Sequence, residues 1–183
     1  MKILVTGGAG FIGGHLAEAF VGDGHDVTVL DNLEPFYDVG IKRHTIERCQ
    51  KNADTGDGSY ELIEGDIRNA ELVEDVVEGI DIVVHQAAQA GVRASVNQPR
   101  TVAEINIDAT VNLLQSSVDT GVERMIIASS SSVYGKPQNL PYDEEHSTEP
   151  ISPYGVSKLA TEHFARVYHE IHDLPTVCLR YFT

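Results

Sequence analysis

Tryptophan is absent from this 183-residue sequence, cysteine and methionine occur twice each, and lysine occurs only five times. Cys49 and Cys178 lie far apart and in no metal-ligand spacing. That excludes a disulfide framework and a thiolate metal site, so they read as free thiols of a reducing compartment and no metal is expected. Long apolar runs are also absent. None approaches the roughly 18 residues of a membrane span. The amino terminus enters a strand pattern (KILVT) at once, with no apolar leader before it. The expectation is a soluble cytoplasmic protein with no membrane partner. Positive charge is scarce too: 13 basic residues face 28 acidic ones, a formal net charge of −15. Such a surface repels nucleic acid and anionic lipid. The acidity fits a salt-rich cytoplasm, where carboxylates keep a protein hydrated, or simply an acidic soluble protein; neither reading assigns a function.

What is present is an ordinary globular composition, 42% hydrophobic and 22% charged, long enough for one domain with a real core. Short apolar runs alternate with helical spacing. Strands are predicted at 2–6, 26–30, 60–64, 81–85, 125–129 and 176–181. Helices are predicted at about 11–21, 38–50, 70–77, 98–119 and 154–172. The stretch NADTGDGS reads as a loop, as does the proline-rich segment 136–153. The alternation predicts an α/β fold: a doubly wound parallel sheet of the Rossmann type, in three α/β/α layers, with strands buried on both faces. The sequence stops directly after a strand, where such folds carry ligand-binding loops. It therefore reads as a fragment, residues 1–183 being one dinucleotide-binding domain without a substrate domain.

The first strand leads into Thr6-Gly7-Gly8-Ala9-Gly10-Phe11-Ile12-Gly13. Gly7, Gly10 and Gly13 recur every third residue at a strand-to-helix junction. Gly7 permits a tight turn, Gly10 a close backbone approach to a pyrophosphate, and Gly13 close packing of helix on sheet. The helix amino terminus offers free N–H groups to the diphosphate. The second strand ends in Asp31-Asn32. A carboxylate there accepts from adenosine ribose hydroxyls and repels a 2′-phosphate, which favours NAD over NADP. Asp66 and Ile67 follow the third strand. Asp66 reads as an acceptor for the adenine amino group with Ile67 against the ring, or equally as an ordinary loop aspartate or a helix N-cap.

Tyr154 and Lys158 are four apart on a predicted helix and so share one face. A tyrosine at its ordinary pKa of about 10 is a poor base. A neighbouring ammonium stabilises the phenolate, and the tyrosine can then take a proton from a sugar hydroxyl while hydride leaves the same carbon. Lys158 is also placed to bond the nicotinamide ribose. The serines Ser129-Ser130-Ser131-Ser132 end the fifth strand, where a hydroxyl faces the ligand crevice; they read equally as a polar turn.

Seven motifs run along the whole chain in order: TGGAGFIG, DN at 31–32, GDI at 65–67, HQAAQAGVRAS, SSSSVYG, PYGVSK and LRYFT. With these the chain resembles the extended short-chain dehydrogenase/reductase family, in its branch of NAD-dependent nucleotide-sugar epimerases and dehydratases. The resemblance implies Tyr154 as proton acceptor, Lys158 as its partner and Ser130 as the catalytic hydroxyl. It implies cofactor contacts from Gly7, Gly10, Phe11, Ile12, Gly13, Asp31, Asn32, Asp66, Ile67, Gln86, Ala87, Ala88, Gln89 and Ser129, support from Asn106, and Phe182 beside the nicotinamide. Dehydratases of this branch carry an Asp-Glu pair after the catalytic hydroxyl, and the decarboxylases a Glu. Here Ser131-Ser132 stand instead, which favours epimerisation. AQAGVR and DNLEPFYDVGIKR are similar to UDP-glucuronate 4-epimerases; YGVSK and LRYFT are similar to UDP-glucose 4-epimerases as well. The implied substrate is a nucleotide sugar. Arg93 reads as a contact to a substrate carboxylate or phosphate, or as a surface residue. Family members also pair as homodimers through the helices at about 98–119 and 154–172.

Overall fold

A computed structural model describes residues 1–136 and 139–182. The described chain is a single six-stranded parallel sheet in the order β3-β2-β1-β4-β5-β6. The strands are β1 Lys2–Thr6, β2 Asp26–Asp31, β3 Ser59–Glu64, β4 Ile82–His85, β5 Arg124–Ser130 and β6 Thr176–Tyr181. The helices are α1 Phe11–Gly22, α2 Val39–Thr55, α3 Ala70–Val77, α4 Val92–Asn97, α5 Pro99–Ala103, α6 Ala109–Thr120 and α7 Pro153–His172. Pro137, Gln138 and Thr183 lie outside the described residues, so the predicted loop at 136–153 and the motif LRYFT are each seen in part.

Strand alternation sorts the core into two layers. Leu4, Leu30, Val83, Met125 and Ile127 face Val73, Val77, Leu113 and Ala165, which come from α3, α6 and α7. Ile3, Val5, Val27, Val29 and Val84 face Ala17, Val21 and Cys49 of α1 and α2. Burial on both faces holds for β1, β2, β4 and β5 but not for β3 and β6, where exposed residues alternate with half-buried ones. Those two are the sheet's edges, and an edge has neighbours on one side only.

Three predicted boundaries move. Helix α2 continues to Thr55, beyond the expected end at 50, and only Gly56–Gly58 remain as a turn. Thr55 contributes by donating its hydroxyl back to the Lys51 carbonyl, 3.1 Å away. Helix α4 lies where no helix was predicted. The helix expected over 98–119 is broken by a π-helical turn, Glu104–Asp108, between α5 and α6. A π turn adds a residue to one helical loop and rotates the next stretch of helix about its axis, a device common at functional sites. Helix α6 then ends at Gly121, in the left-handed region at φ 75°, a conformation glycine adopts without penalty.

Candidate functional site

The strands' carboxyl ends converge on one open cleft of about 320 Å³. That is where parallel α/β sheets bind ligands, and the strand order reverses there, between β1 and β4. Gly7, Gly10, Phe11, Asp31, Asn32, Asp66, Ile67, Gln86, Ala87, Ala88 and Gln89 all line it. Ile12, Gly13, Asn106, Ser129, Ser130, Tyr154, Lys158 and Phe182 are not part of that lining.

The floor is built for a close backbone approach. Gly7 sits at φ 69°, and a Cβ there would meet the Ala87 nitrogen at 2.7 Å. Gly13 serves a different neighbour from the one expected: its Cβ would strike the Gly7 carbonyl, so its bareness shapes the loop itself rather than the contact with the sheet. Helix α1 has Gly10 as N-cap, with no side-chain cap and no acidic residue in its first turn. Its leading N–H groups therefore stay free for an anion. The residues present fit a dinucleotide diphosphate, because bare glycine backbone and uncapped donors face the same space.

The far end of the cleft holds two carboxylates that already have partners. Asp31 accepts from the Ala9 nitrogen through Oδ2 (3.1 Å), and from the Leu33 nitrogen (2.8 Å) and Lys42 Nζ (3.1 Å) through Oδ1. Leu33 adopts φ 52°, a left-handed conformation costly for a leucine. Asp66 accepts from Arg68 N, Nε and Nη2 and from Asn32 Nδ2, at 2.7 to 3.0 Å. These bonds, led by the guanidinium, hold its carboxyl at about 2, below the usual range. Four donors fill the carboxylate, so Asp66 shapes the wall rather than offering a free acceptor to adenine. Its alternative role is also taken, since the N-cap of α3 is Asn69, which accepts from the Leu72 nitrogen at 3.3 Å. Lys42, Arg68, Phe36 and Tyr37 line the cleft without having been singled out in the sequence. The only hint was that Phe36, Tyr37 and Lys42 belong to DNLEPFYDVGIKR.

The residues expected to be catalytic lie outside that lining. Ser130 is the last residue of β5 and Tyr154 lies in the first turn of α7. That helix begins at Pro153, with Ser152 as N-cap accepting from the Gly155 nitrogen at 3.0 Å. Burial raises the Tyr154 phenol above its ordinary pKa, and the Ser130 hydroxyl opposes that rise. Lys158 is buried and donates to the Ala128 carbonyl at 2.9 Å. Burial lowers its ammonium to about 8. The ammonium support expected for the Tyr154 phenolate is thus directed at β5 in this structure, because a buried cation takes the nearest carbonyl as its acceptor.

Asn106 sits in the π turn, buried behind Gln89 of the cleft's lining. It accepts from the Gln89 nitrogen (2.8 Å) and donates to the Gln89 carbonyl (3.2 Å) and to Ser157 Oγ (3.0 Å). It therefore pins the loop after β4 to α7. Beside it, His85 is wholly enclosed between Thr6 (2.7 Å to Nδ1) and Thr110 (2.9 Å to Nε2). Thr110 donates its one proton to the Asn106 carbonyl at 2.7 Å, so Nε2 carries the ring proton and Nδ1 accepts from Thr6. Burial holds this imidazole neutral, at about 3.

Two implied contacts fall elsewhere. Ser129 donates to Glu162 on α7, and Arg180 grips the same carboxylate through Nε (3.0 Å) and Nη2 (2.8 Å). The Ser129 hydroxyl therefore secures α7 to the sheet. Phe182 is 56% exposed and lies against Tyr142 and Tyr134, with ring centroids 5.5 and 6.2 Å away. Arg93 is exposed on α4 and pairs with no carboxylate among the described residues.

Sheet order, glycine loop and cleft define a dinucleotide-binding protein of the Rossmann class. The profile of the GDP-mannose 4,6-dehydratase family matches residues 4–183. The chain belongs to this family, within the epimerase/dehydratase branch of the extended short-chain dehydrogenase/reductases. It is 36% identical over 183 residues to a UDP-glucuronate 4-epimerase of Thermodesulfobacterium geofontis, covering 98% of this chain and 55% of that protein. It is 36% identical over 184 residues to a UDP-glucose 4-epimerase of Halalkalibacterium halodurans, covering 100% and 50%. The crystal structure of a Bacillus cereus UDP-glucuronic acid 4-epimerase, in complex with UDP-glucuronic acid and NAD, superposes with a TM-score of 0.90 at 36% identity. That match covers 100% of this chain and 57% of the other. The chain spans about half the length of the relatives it matches.

Proposed function

We propose that this chain is the NAD-binding and proton-transferring part of a nucleotide-sugar 4-epimerase, acting on UDP-glucose/UDP-galactose or UDP-glucuronate through a transient 4-keto sugar. One observation carries the reading: Ser130 and Tyr154 flank the strand ends beside a diphosphate cradle, and the two residues after Ser130 are serines, not carboxylates. Elimination of water needs an acid and a base at that point, whereas epimerisation does not.

A nicotinamide cofactor held by Gly7, Gly10, the start of α1 and Asp31 would supply reversible hydride transfer at the sugar carbon. The chain's own groups handle the proton. Tyr154 accepts it from the C4 hydroxyl and gives it back after the sugar presents its other face. Burial raises the phenol's pKa and Ser130 partly offsets that rise. Lys158 holds a positive charge next to β5, and Asn106 keeps the loop after β4 in register with the tyrosine's helix. Gly7, Gly10 and the start of α1 take the diphosphate, and Asp31 the adenosine ribose.

Coverage of only half of each relative supports a second reading of the chain taken alone, as a cofactor-binding domain without turnover. Two further features belong to the proposal. No described helix is long and apolar enough to cross a membrane, and the protein works in the cytoplasm. It pairs with a second copy through α5–α6 and α7, where Val156, Phe164, Val167 and Ile171 leave an apolar stripe exposed.

The test is to incubate this chain, and a version extended to the relatives' length, with NAD and either UDP-glucose or UDP-glucuronate, and to resolve the products by chromatography. A C4 epimer from the longer protein is expected. Absence of any epimer from it, with either substrate, overturns the activity. An epimer from the shorter chain as well overturns the second reading.

A further inference from the structure

A carboxylate at the end of β2 explains NAD selection only if its charge is free to act, and here it is not. Lys42 reaches across from α2 and donates to Asp31 Oδ1 at 3.1 Å, and the two residues are only 7% and 6% exposed. As a pair they are close to neutral. A 2′-phosphate would meet a cation and an anion side by side, and repulsion by Asp31 would be largely offset.

The hydrogen-bonding capacity left over is specific. A carboxylate accepts about four hydrogen bonds, and Asp31 takes three: from Leu33 and Lys42 on Oδ1, and from Ala9 on Oδ2. An ammonium has three N–H groups, and one of Lys42's has a partner among the described residues. Both residues line the cleft. One open acceptor beside open donors matches a vicinal diol, in which one hydroxyl donates and its neighbour accepts. Arg68, the other cation on this wall, is held by Asp66 through two side-chain bonds.

We propose that Lys42 is a second ligand of the adenosine ribose diol, and that the Lys42–Asp31 pair, not Asp31 alone, sets the preference for NAD over NADP. The inference rests on the reading that this cleft takes NAD. It has a consequence that a purely structural ion pair would not have. Neutralising Asp31 releases a buried cation at the 2′ position, and the cleft then gains affinity for a phosphate there.

Calorimetric titration of the chain with NAD and with NADP tests this on the wild type, Lys42→Met, Asp31→Asn and the double variant. Lys42→Met is expected to weaken NAD binding about tenfold, the scale of one hydrogen bond to a charged group. Asp31→Asn is expected to bind NADP about tenfold or more tighter than the wild type does, a gain typical of one new charge-assisted contact to phosphate. The double variant is expected to lose that gain. A gain in affinity cannot arise from misfolding, which keeps the test open even where a variant is less stable. The proposal is overturned if Asp31→Asn gains nothing for NADP, if the gain persists without Lys42, or if Lys42→Met binds NAD like the wild type. A wild type that binds no NAD overturns instead the cofactor reading beneath it, and this inference falls with it.

Discussion

Single residues separate proton chemistry from architecture in this site. Tyr154→Phe removes the phenol proposed to take the proton while leaving the ring in place. In the full-length protein it should lower turnover by roughly 10²–10⁴, the usual worth of a positioned acid–base group. NAD binding should change little, and turnover equal to the wild type would remove Tyr154 from the mechanism. His85 makes the opposite kind of residue, buried and outside the proton path. Its folded-state pKa of about 3 lies below its ordinary value of 6.5. Between those values the unfolded chain binds a proton that the folded chain refuses, so its contribution favours the unfolded state increasingly as pH falls from 6.5 towards 3. The slope from one such group is about 1.4 kcal/mol per pH unit. Urea denaturation at about pH 7 and about pH 5, on either side of the ordinary imidazole value, should show a smaller acid loss in His85→Gln than in the wild type; equal losses would mean that other groups govern acid stability. The spacing of Tyr154 and Lys158 made them legible in the sequence, because four residues is a helical turn. No spacing links Thr6, His85 and Thr110, which meet only through the sheet.

Helix α7 does two jobs at the scale of elements. Its buried face carries Ser157, Lys158, Thr161 and Ala165 into the molecule, and Glu162 joins Ser129 and Arg180 to fix it on β5 and β6. Its other face leaves Val156, Val167 and Ile171 in solvent. Exposed apolar residues in line on one helix mark a contact surface. Charging that line in Val167→Glu/Ile171→Glu should convert a dimer of the full-length protein to a monomer in sedimentation velocity. A wild type that sediments as a monomer would remove the pairing. The helical period of α7 was visible in the sequence, including its stop near 172. The π turn at Glu104–Asp108 was not, because its residues keep an ordinary helical pattern and only the hydrogen bonds reveal the extra residue.

The scale of the whole molecule joins the cleft to stability. A ligand that binds only the folded state stabilises it by about 2.7 kcal/mol at a hundredfold excess over its Kd. NAD should therefore raise the melting temperature of this chain in a concentration-dependent way even if it has no turnover. A melting temperature indifferent to millimolar NAD would argue against the cofactor reading at its base. The chain spans about half the length of the relatives it matches.

The succession of strands and helices, the glycine loop and the shared helix of Tyr154 and Lys158 were set by local pattern. Apolar runs that alternate with helical periods admit a parallel sheet, glycines three apart admit a bare turn, and a tyrosine four before a lysine places both on one face. Those are short-range constraints, and a linear reading reaches them. The partners of each polar group were decided by tertiary structure alone. Asp31 was expected to act as a free anion and is paired with Lys42 from α2. Asp66 was open to two roles and is filled by Arg68 and Asn32. Ser129 was read for the cofactor, and its hydroxyl is committed to Glu162 of α7. Each outcome obeys the rule that a polar group withdrawn from water takes the nearest partner the fold provides. Only the fold decides which partner is nearest.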